Sequence, residues 1–328
     1  MAFAFPAYHH PDFDQPSLKN APDARWETVE KDGVAPEEFH STSMYPEYFK
    51  INGRWTLAEE SRMDSCVVLE DDGHLSVVES RNLKKGQRVI LGRTEHGQDG
   101  IYMHCNGFTQ DSETLEDQFV FRQGRSRETS YAKDYDRLVE LLHERDHGNI
   151  VWVMGPAFAF DDGARKAMQA LIDNGYCHGL LAGNALGTHD LEGALLHTAL
   201  GQDIYTQQSQ PNGHYNHLDV LNKVRRSGSI PQFIEDYHID NGIIYGCVKN
   251  HVPFVLTGSI RDDGPLPEVY GNAYEGAAAM RELVRKSTTV ICLATMLHTI
   301  ATGNMTPSFR VMPDGSIRPV YLYAVDAA

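Results

Sequence analysis

Four short stretches of almost unbroken apolar residues, "IVWVMGP", "YCHGLLAGNA", "VPFVLTG" and "TTVICLATM", constrain this chain more than any other feature. A strand with one wet face alternates apolar and polar residues, and these stretches do not. Both of their faces must therefore be buried, which a parallel sheet covered by helices on each side achieves. Helical patterns separate them. "DGARKAMQALIDNG" has an acidic first turn and a Gly end, "LDVLNKVRRSG" and "AYEGAAAMRELVRKS" carry helical spacing, and "SIPQFIEDYHIDNG" turns helical after Pro231. Connections of that length join parallel strands. "VYLYAVDAA" reads as a last strand. The fold class expected is α/β, a Rossmann-like doubly wound parallel sheet over residues 129–328.

The texture before residue 128 differs. "SCVVLED", the turn "DDGH" and "LSVVESR" form a hairpin pattern, "LKKGQRVILGR" repeats it, and "DGIYMHCNGF" adds a strand. Short strands at this spacing predict a smaller β-barrel-like subdomain over 32–128. Residues 1–31, rich in Pro, Asp, His and Asn without a period, read as an extended N-terminal arm. "ETSYAKDYDRLVELLHERDHGN" places Tyr131, Tyr135, Leu138, Leu141 and Leu142 at helical spacing before a Gly stop at 148.

Charge and cysteine content narrow the function. A net charge of −16 opposes nucleic-acid binding, which needs a basic face. No apolar run approaches the ~20 residues that span a bilayer. The five cysteines are scattered with no CxxC pair, and the start lacks a basic n-region and a continuous apolar h-region. The expectation is a cytoplasmic protein without disulfides or structural zinc, acting on a small molecule and assembling as a homo-oligomer.

In an open parallel sheet, ligands bind beyond the carboxyl ends of the strands. Each apolar strand here runs into a Gly-containing polar segment: "GPAFAFDDGA", "GNALGTHDLEGA", "GSIRDDGPLPE" and "MLHTIATGNMTPS". The first opens a helix whose N-terminus suits a pyrophosphate, with Asp161 and Asp162 placed to cap it. The second gathers Asn184, His189, Asp190 and Glu192. His189 with Asp190 has the composition of a base and its orienting carboxylate; equally, Thr188 or Asp190 is suited to N-cap a helix with Glu192 in its first turn. "NGHYNHLDVLN" carries the HxxH pair His214 and His217, a spacing that fits two imidazoles on one metal or polar contacts at a helix start. No metal site is expected. The last segment offers His298 and Asn304, and a helix-interior His298 would be a hydrogen-bonded core residue.

"DGVAPEEFHSTSMYPEYFKINGRWTLAEESRMDSCVVL", "GPAFAFDDGA", "GNALGTHDLEGAL", "GHYNHLDVLNKVRRSGSI", "VPFVLTGSIRDDGPLPEV" and "MLHTIATGNMTPS" follow one another in this order. The set resembles the archaeal-type NAD-dependent ornithine cyclodeaminase family, also labelled the LOR/SDH conserved region. The same module is the C-terminal part of cyanobacterial arginine dihydrolase/ornithine cyclodeaminases. The resemblance covers about residues 32–310. Against the family pattern the chain is shortened at both ends, and Gly187 and Thr188 stand where Ala and Val are expected.

The resemblance implies a barrel joined to an NAD-binding Rossmann-like domain, and conversion of ornithine or a related diamino acid to proline or a cyclic imino acid with loss of ammonia. The hydride is stored and returned within one turnover. The cofactor-binding residues expected are Gly155, Pro156, Ala157, Gly183, Asn184, Ala185, Gly258, Ser259, Met296, His298 and Asn304. Arg261 is expected to clamp the substrate carboxylate, since its planar fork matches one. Arg62, Asp64, Asn184, His214 and His217 are expected to contribute to substrate binding. Asp262, Asp263, or His189 with Asp190 supply the acid–base candidates. Two other readings remain open: an opine- or imine-reductase-like NAD enzyme, and a non-catalytic NAD-binding subunit.

Overall fold

The structure, a computed structural model, describes residues 5–108, 132–143, 148–262 and 264–326. The chain divides into two units, Met1–Leu141 with Asn304–Tyr321, and Leu142–Gly303 with Leu322–Ala328.

The first unit begins with a helical turn, α1 (Pro16–Lys19), then β1 (Arg25–Thr28), β2 (Glu47–Ile51), β3 (Arg54–Leu57), β4 (Cys66–Leu69), β5 (Leu75–Val78), β6 (Arg88–Leu91) and β7 (Ile101–Met103). They form two antiparallel sheets, ordered β1-β6-β4-β5 and β3-β2-β7. Phe49, Val67, Ile90 and Ile101, all fully buried, meet in one core drawn from both sheets. The expected β4–β5 hairpin is present, with Cys66 opposite Val78 and Leu69 opposite Leu75. A second hairpin, β2–β3, turns at Asn52-Gly53 with φ of 50° and 78°, the left-handed pair that a two-residue turn between twisted strands requires. Part of the expected N-terminal arm, residues 16–29, packs into this unit. β1 pairs with β6 from Arg25↔Leu91 to Thr28↔Arg88, and Leu18 and Val29 are buried. All four β1 residues are exposed, so there was no apolar period to read.

Helix α2 (Ala132–Leu142) lies within the helical pattern expected there. Tyr131 lies outside the described residues.

The second unit contains β8 (Ile150–Met154), α3 (Asp162–Asp173), β9 (Gly179–Gly183), α4 (Asn184–Leu196), the short hairpin β10 (Thr198–Ala199) and β11 (Gln202–Asp203), α5 (Asn216–Ser227), α6 (Ile230–Asp236), α7 (Ile243–Lys249), β12 (Phe254–Thr257), α8 (Ala273–Val284), β13 (Thr289–Leu293) and α9 (Met296–Met305). The chain then returns to the first unit for the hairpin β14 (Phe309–Val311) and β15 (Ile317–Pro319), and ends in β16 (Tyr321–Val325). The sheet order is β12-β9-β8-β13-β16, and the β12/β9, β9/β8 and β8/β13 pairs are parallel. Every residue of β8 is buried, as its unbroken apolar run demands. Among the described residues no helix is long and apolar enough to cross a membrane.

Candidate functional site

Strand order places the site. β8 is first in sequence, β9 and β12 lie to one side of it, and β13 to the other. The direction of winding therefore reverses between β8 and β13, the kind of switch point at which doubly wound sheets bind ligands beyond the strand ends. Gly155, the residue after β8, donates its N–H to the Leu293 carbonyl at 2.9 Å. A Cβ at this position would lie 1.9 Å from the Ala294 carbonyl oxygen. Ala294 itself has φ of 52°, in the left-handed region. Gly155→Ala is thus expected to wedge the two strand exits apart and to cost about 1–3 kcal/mol, read as a lowered urea midpoint.

All four strand exits lie on this one edge. After β8, Pro156–Phe160 forms a short 3-10 turn leading to α3, which Asp161 caps by accepting from the Ala164 N–H at 2.7 Å. Asp162 pairs with Lys166 at 2.8 Å. After β9, helix α4 starts at once from Gly183, and no side chain caps it. Its first-turn N–H groups at Asn184, Ala185 and Leu186 thus face the edge with the positive end of the helix dipole behind them. After β13, α9 begins with Met296 and Leu297 exposed. His298, in the first turn of α9, contacts the Thr257 hydroxyl with Nε2 at 3.0 Å and the Thr295 hydroxyl with Nδ1 at 3.3 Å. Burial lowers its pKa, which favours the neutral ring. With both nitrogens occupied, His298 braces the β12 and β13 exits to each other. A Cβ on Gly183 would lie 3.2 Å from His298 Cε1, so this glycine permits the approach.

Helix α4 carries most of the polar residues singled out by sequence. Ten of its thirteen residues are buried, a helix covered all round. It begins at Asn184, so neither Thr188 nor Asp190 is its N-cap and both lie within it. The expected His189–Asp190 partnership is absent, since adjacent helical residues point to different faces. Asp190 Oδ1 instead accepts from Arg165 Nε at 2.8 Å and its Oδ2 from the Ile244 N–H at 2.8 Å. Arg165 Nη2 also donates to the Asp190 carbonyl at 3.0 Å and to Asn241 Oδ1 at 3.2 Å. This buried ion pair ties α3, α4 and the start of α7 together.

The carboxylate that serves His189 is Glu192, three residues on and on the same face, with Nδ1 to Oε2 at 3.0 Å. Glu192 is fully buried. It also accepts from Thr198 Oγ1 (2.8 Å), the Leu200 N–H (2.9 Å) and the Gly201 N–H (3.0 Å). Burial acts to raise its pKa, but the donors, His189 foremost, outweigh burial and hold it below the usual carboxylate range. Beside an ionised Glu192 the His189 Nδ1 is the donor, and in the neutral ring that tautomer leaves Nε2 as the acceptor. Phe160 and His217 pack beside the ring, with centroids at 5.3 and 6.1 Å. His217 Nδ1 is buried with no hydrogen-bond partner. The other histidine of the HxxH pair, His214, packs on Tyr215 instead. Among the described residues no group of three or more His, Cys, Asp or Glu is placed to hold a metal ion.

The loop after β12 is closed at its neck. Gly258 donates to the Tyr270 carbonyl and Tyr270 to the Leu256 carbonyl, each at 2.9 Å. Within it, Asp262 Oδ2 accepts the Ser259 N–H at 2.7 Å and so shapes the turn. Arg261 is exposed, and its guanidinium has no ion pair among the described residues. Asp262 therefore does not brace Arg261. Asp263 lies outside the described residues. Asn184 turns both polar atoms of its side chain to this loop: Nδ2 donates to the Gly264 carbonyl at 3.3 Å, and Oδ1 accepts the Leu266 N–H at 3.0 Å.

Three expected site residues belong to the first unit. The Arg62 guanidinium is ion-paired with Glu79. Asp64 is exposed, with φ of 59°, and donates its N–H to the Thr42 carbonyl at 3.2 Å. Asn304 lies in the last turn of α9. Arg165 and the Glu192 pairing were not foreseen. Arg165 in "DGARKAMQ" looks like a solvated helix residue, whereas the i, i+3 spacing of His189 and Glu192 was available once the segment is known to be helical.

Residues 135–317 match the family described as arginine dihydrolase ArgZ-like, C-terminal, Rossmann fold. The chain is 38% identical over 289 residues to the ornithine cyclodeaminase of Methanocaldococcus jannaschii, covering 86% of this chain and 66% of that protein. It is 36% identical over 308 residues to the bifunctional arginine dihydrolase/ornithine cyclodeaminase ArgZ of Synechocystis, covering 90% of this chain and 42% of that one. Among solved structures, a conserved LOR/SDH protein from Methanococcus maripaludis superposes with a TM-score of 0.80 at 32% identity, covering 92% of this chain and 87% of that chain. The ternary complex of AgrE with ornithine and NAD+ superposes with a TM-score of 0.52 at 33% identity, covering 90% and 40%.

Proposed function

The chain belongs to the family of archaeal ornithine cyclodeaminases and ArgZ-like C-terminal Rossmann domains, and from that premise we propose that it is an NAD-dependent cyclodeaminase of ornithine or a related diamino acid. The products are ammonia and proline or a cyclic imino acid. The observation that carries the reading is the single edge that holds an uncapped α4, the glycine exit of β8 and the loop with Arg261, which has no ion pair among the described residues, together with the AgrE relative that was solved with ornithine and NAD+.

The edge fits a dinucleotide. The first-turn N–H groups of α4 suit a phosphate, and Gly155, Gly183 and Gly258 let the strand exits pack closely around them. Pro156, Ala157, Ala185 and Ser259 border the same positions. When bound, NAD would supply a place to hold a hydride and return it within one turnover. The protein's own residues do the remaining work. His189 Nε2, freed by the Glu192 bond on the other nitrogen, accepts a proton from the substrate α-ammonium, because hydride leaves readily only from the neutral amine. Arg261 holds the substrate carboxylate with its fork. The second oxygen of Asp262 is available to a distal ammonium.

With NAD present, ornithine should release ammonia and form proline with no accumulation of free NADH. Net NADH change on an amino acid or imine would favour the reductase reading, and NAD binding without turnover of any diamino acid would favour a non-catalytic subunit. Arg261→Ala should raise KM for ornithine by about tenfold or more, the loss of a charge-assisted pair of bonds, with NAD affinity unchanged. Unchanged kinetics in the folded variant would remove Arg261 from the site. The proposal includes a cytoplasmic homo-oligomer, checked by light scattering of the purified chain.

A further inference from the structure

We infer that the Asn184 side chain is a positioning group that sets the loop carrying Arg261, rather than a ligand of cofactor or substrate. Its kinetic consequence rests on the function proposed above.

Asn184 is buried at the first position of α4, immediately after β9. Its carboxamide spans the gap to a segment eighty residues away, donating to Gly264 and accepting from Leu266. Both bonds go to backbone, so the clamp reads the path of the loop and not its side chains. The anchor is stiff, because α4 is buried along most of its length. The Leu266 side chain, 1% exposed, packs beside Gly187, where a Cβ would lie 3.0 Å from Leu266 Cδ1 and 2.9 Å from Leu256 Cδ1. The glycine at 187, in place of the alanine expected there, thus leaves room for the clamped loop.

The geometry divides the loop in two. The neck at Leu256, Gly258 and Tyr270 closes one end, and the Asn184 clamp holds its middle. Between them stands the tip, where Ile260 is fully exposed and Arg261 is exposed without an ion pair among the described residues. Without the clamp, the stretch with no backbone tie to the rest of the fold grows from residues 259–263 to residues 259–269, leaving the buried Leu266 side chain and the Glu268 carboxylate, which accepts the Ile230 N–H at 2.6 Å, as side-chain anchors within it. Loop-closure scaling alone makes that tip roughly threefold less confined. Loss of two buried hydrogen bonds to the backbone adds a further several-fold. A carboxylate clamp on such a tip binds more weakly by the product of the two, about tenfold or more.

The test compares wild type, Asn184→Ala and Asn184→Asp as full chains with NAD present. Amide hydrogen exchange is followed over residues 256–272, and KM, kcat and NAD affinity are measured with ornithine. Asn184→Ala should speed exchange in this segment and raise KM about tenfold, with kcat at saturation and NAD affinity within about twofold of wild type. Asn184→Asp keeps the acceptor for Leu266 but sets a second oxygen against the Gly264 carbonyl, so it should fall between the two in exchange and KM. Unchanged exchange in Asn184→Ala, NAD affinity falling along with KM, or Asn184→Asp matching wild type would overturn the inference. If the wild-type chain releases no ammonia from ornithine, the functional reading fails, and the exchange comparison alone still decides the clamp.

Discussion

His189→Ala is expected to lower kcat for ammonia release from ornithine by about a hundredfold or more, the usual worth of a positioned general base. NAD affinity should stay within about twofold, because His189 lies in the second turn of α4, past the first-turn N–H groups assigned to the phosphate. Stability should fall by only about 1 kcal/mol, since Glu192 keeps its bonds to Thr198, Leu200 and Gly201. Single-turnover release of ammonia at saturating ornithine makes the comparison. A folded variant within about threefold of wild type would take His189 out of the proton path and return attention to Asp262 and Asp263.

The second large effect concerns stability. Asp190→Ala is expected to cost about 3–5 kcal/mol, because it leaves the Arg165 guanidinium charged and buried and the Ile244 N–H without its acceptor. Urea denaturation measures the loss, and whatever fraction stays folded should turn over normally. If Asp190 instead served His189 as its carboxylate, activity would fall while the urea midpoint held. Removing both charges, as in Arg165→Met with Asp190→Leu, should recover a good part of the stability, since the cost lies in the orphaned charge more than in the lost attraction.

The parallel sheet was legible because burial on both faces writes itself into sequence as unbroken apolar runs, and β8, β9, β12 and β13 all fall where those runs predict. Edge elements leave no such mark. β1 is fully exposed, and the β2–β3 hairpin shows itself chiefly through Asn52-Gly53. The polar residues of α4 were legible as a group but not as partners. Whether His189 meets Asp190 or Glu192 depends on helical phase, and a segment with this many buried polar residues has no apolar stripe from which to read the phase. Asn184 illustrates the same limit. A polar residue at a strand exit looks like a ligand of something bound, and only the folded path of a loop eighty residues away shows that its bonds are already made.

The edge of the main sheet has a consequence for how the protein is made. β16 lies next to β13, with Ala294 donating to the Val325 carbonyl at 3.0 Å, and the chain reaches it only after passing through the first unit's β14–β15 hairpin. On the ribosome the four parallel strands are complete some thirty residues before β16 emerges to cover β13. During that interval the apolar Thr289–Leu293 strand presents an open row of backbone donors and acceptors to any neighbouring chain. The sheet therefore stays incomplete until β16 pairs, and the nascent chain is most prone to aggregate in that interval.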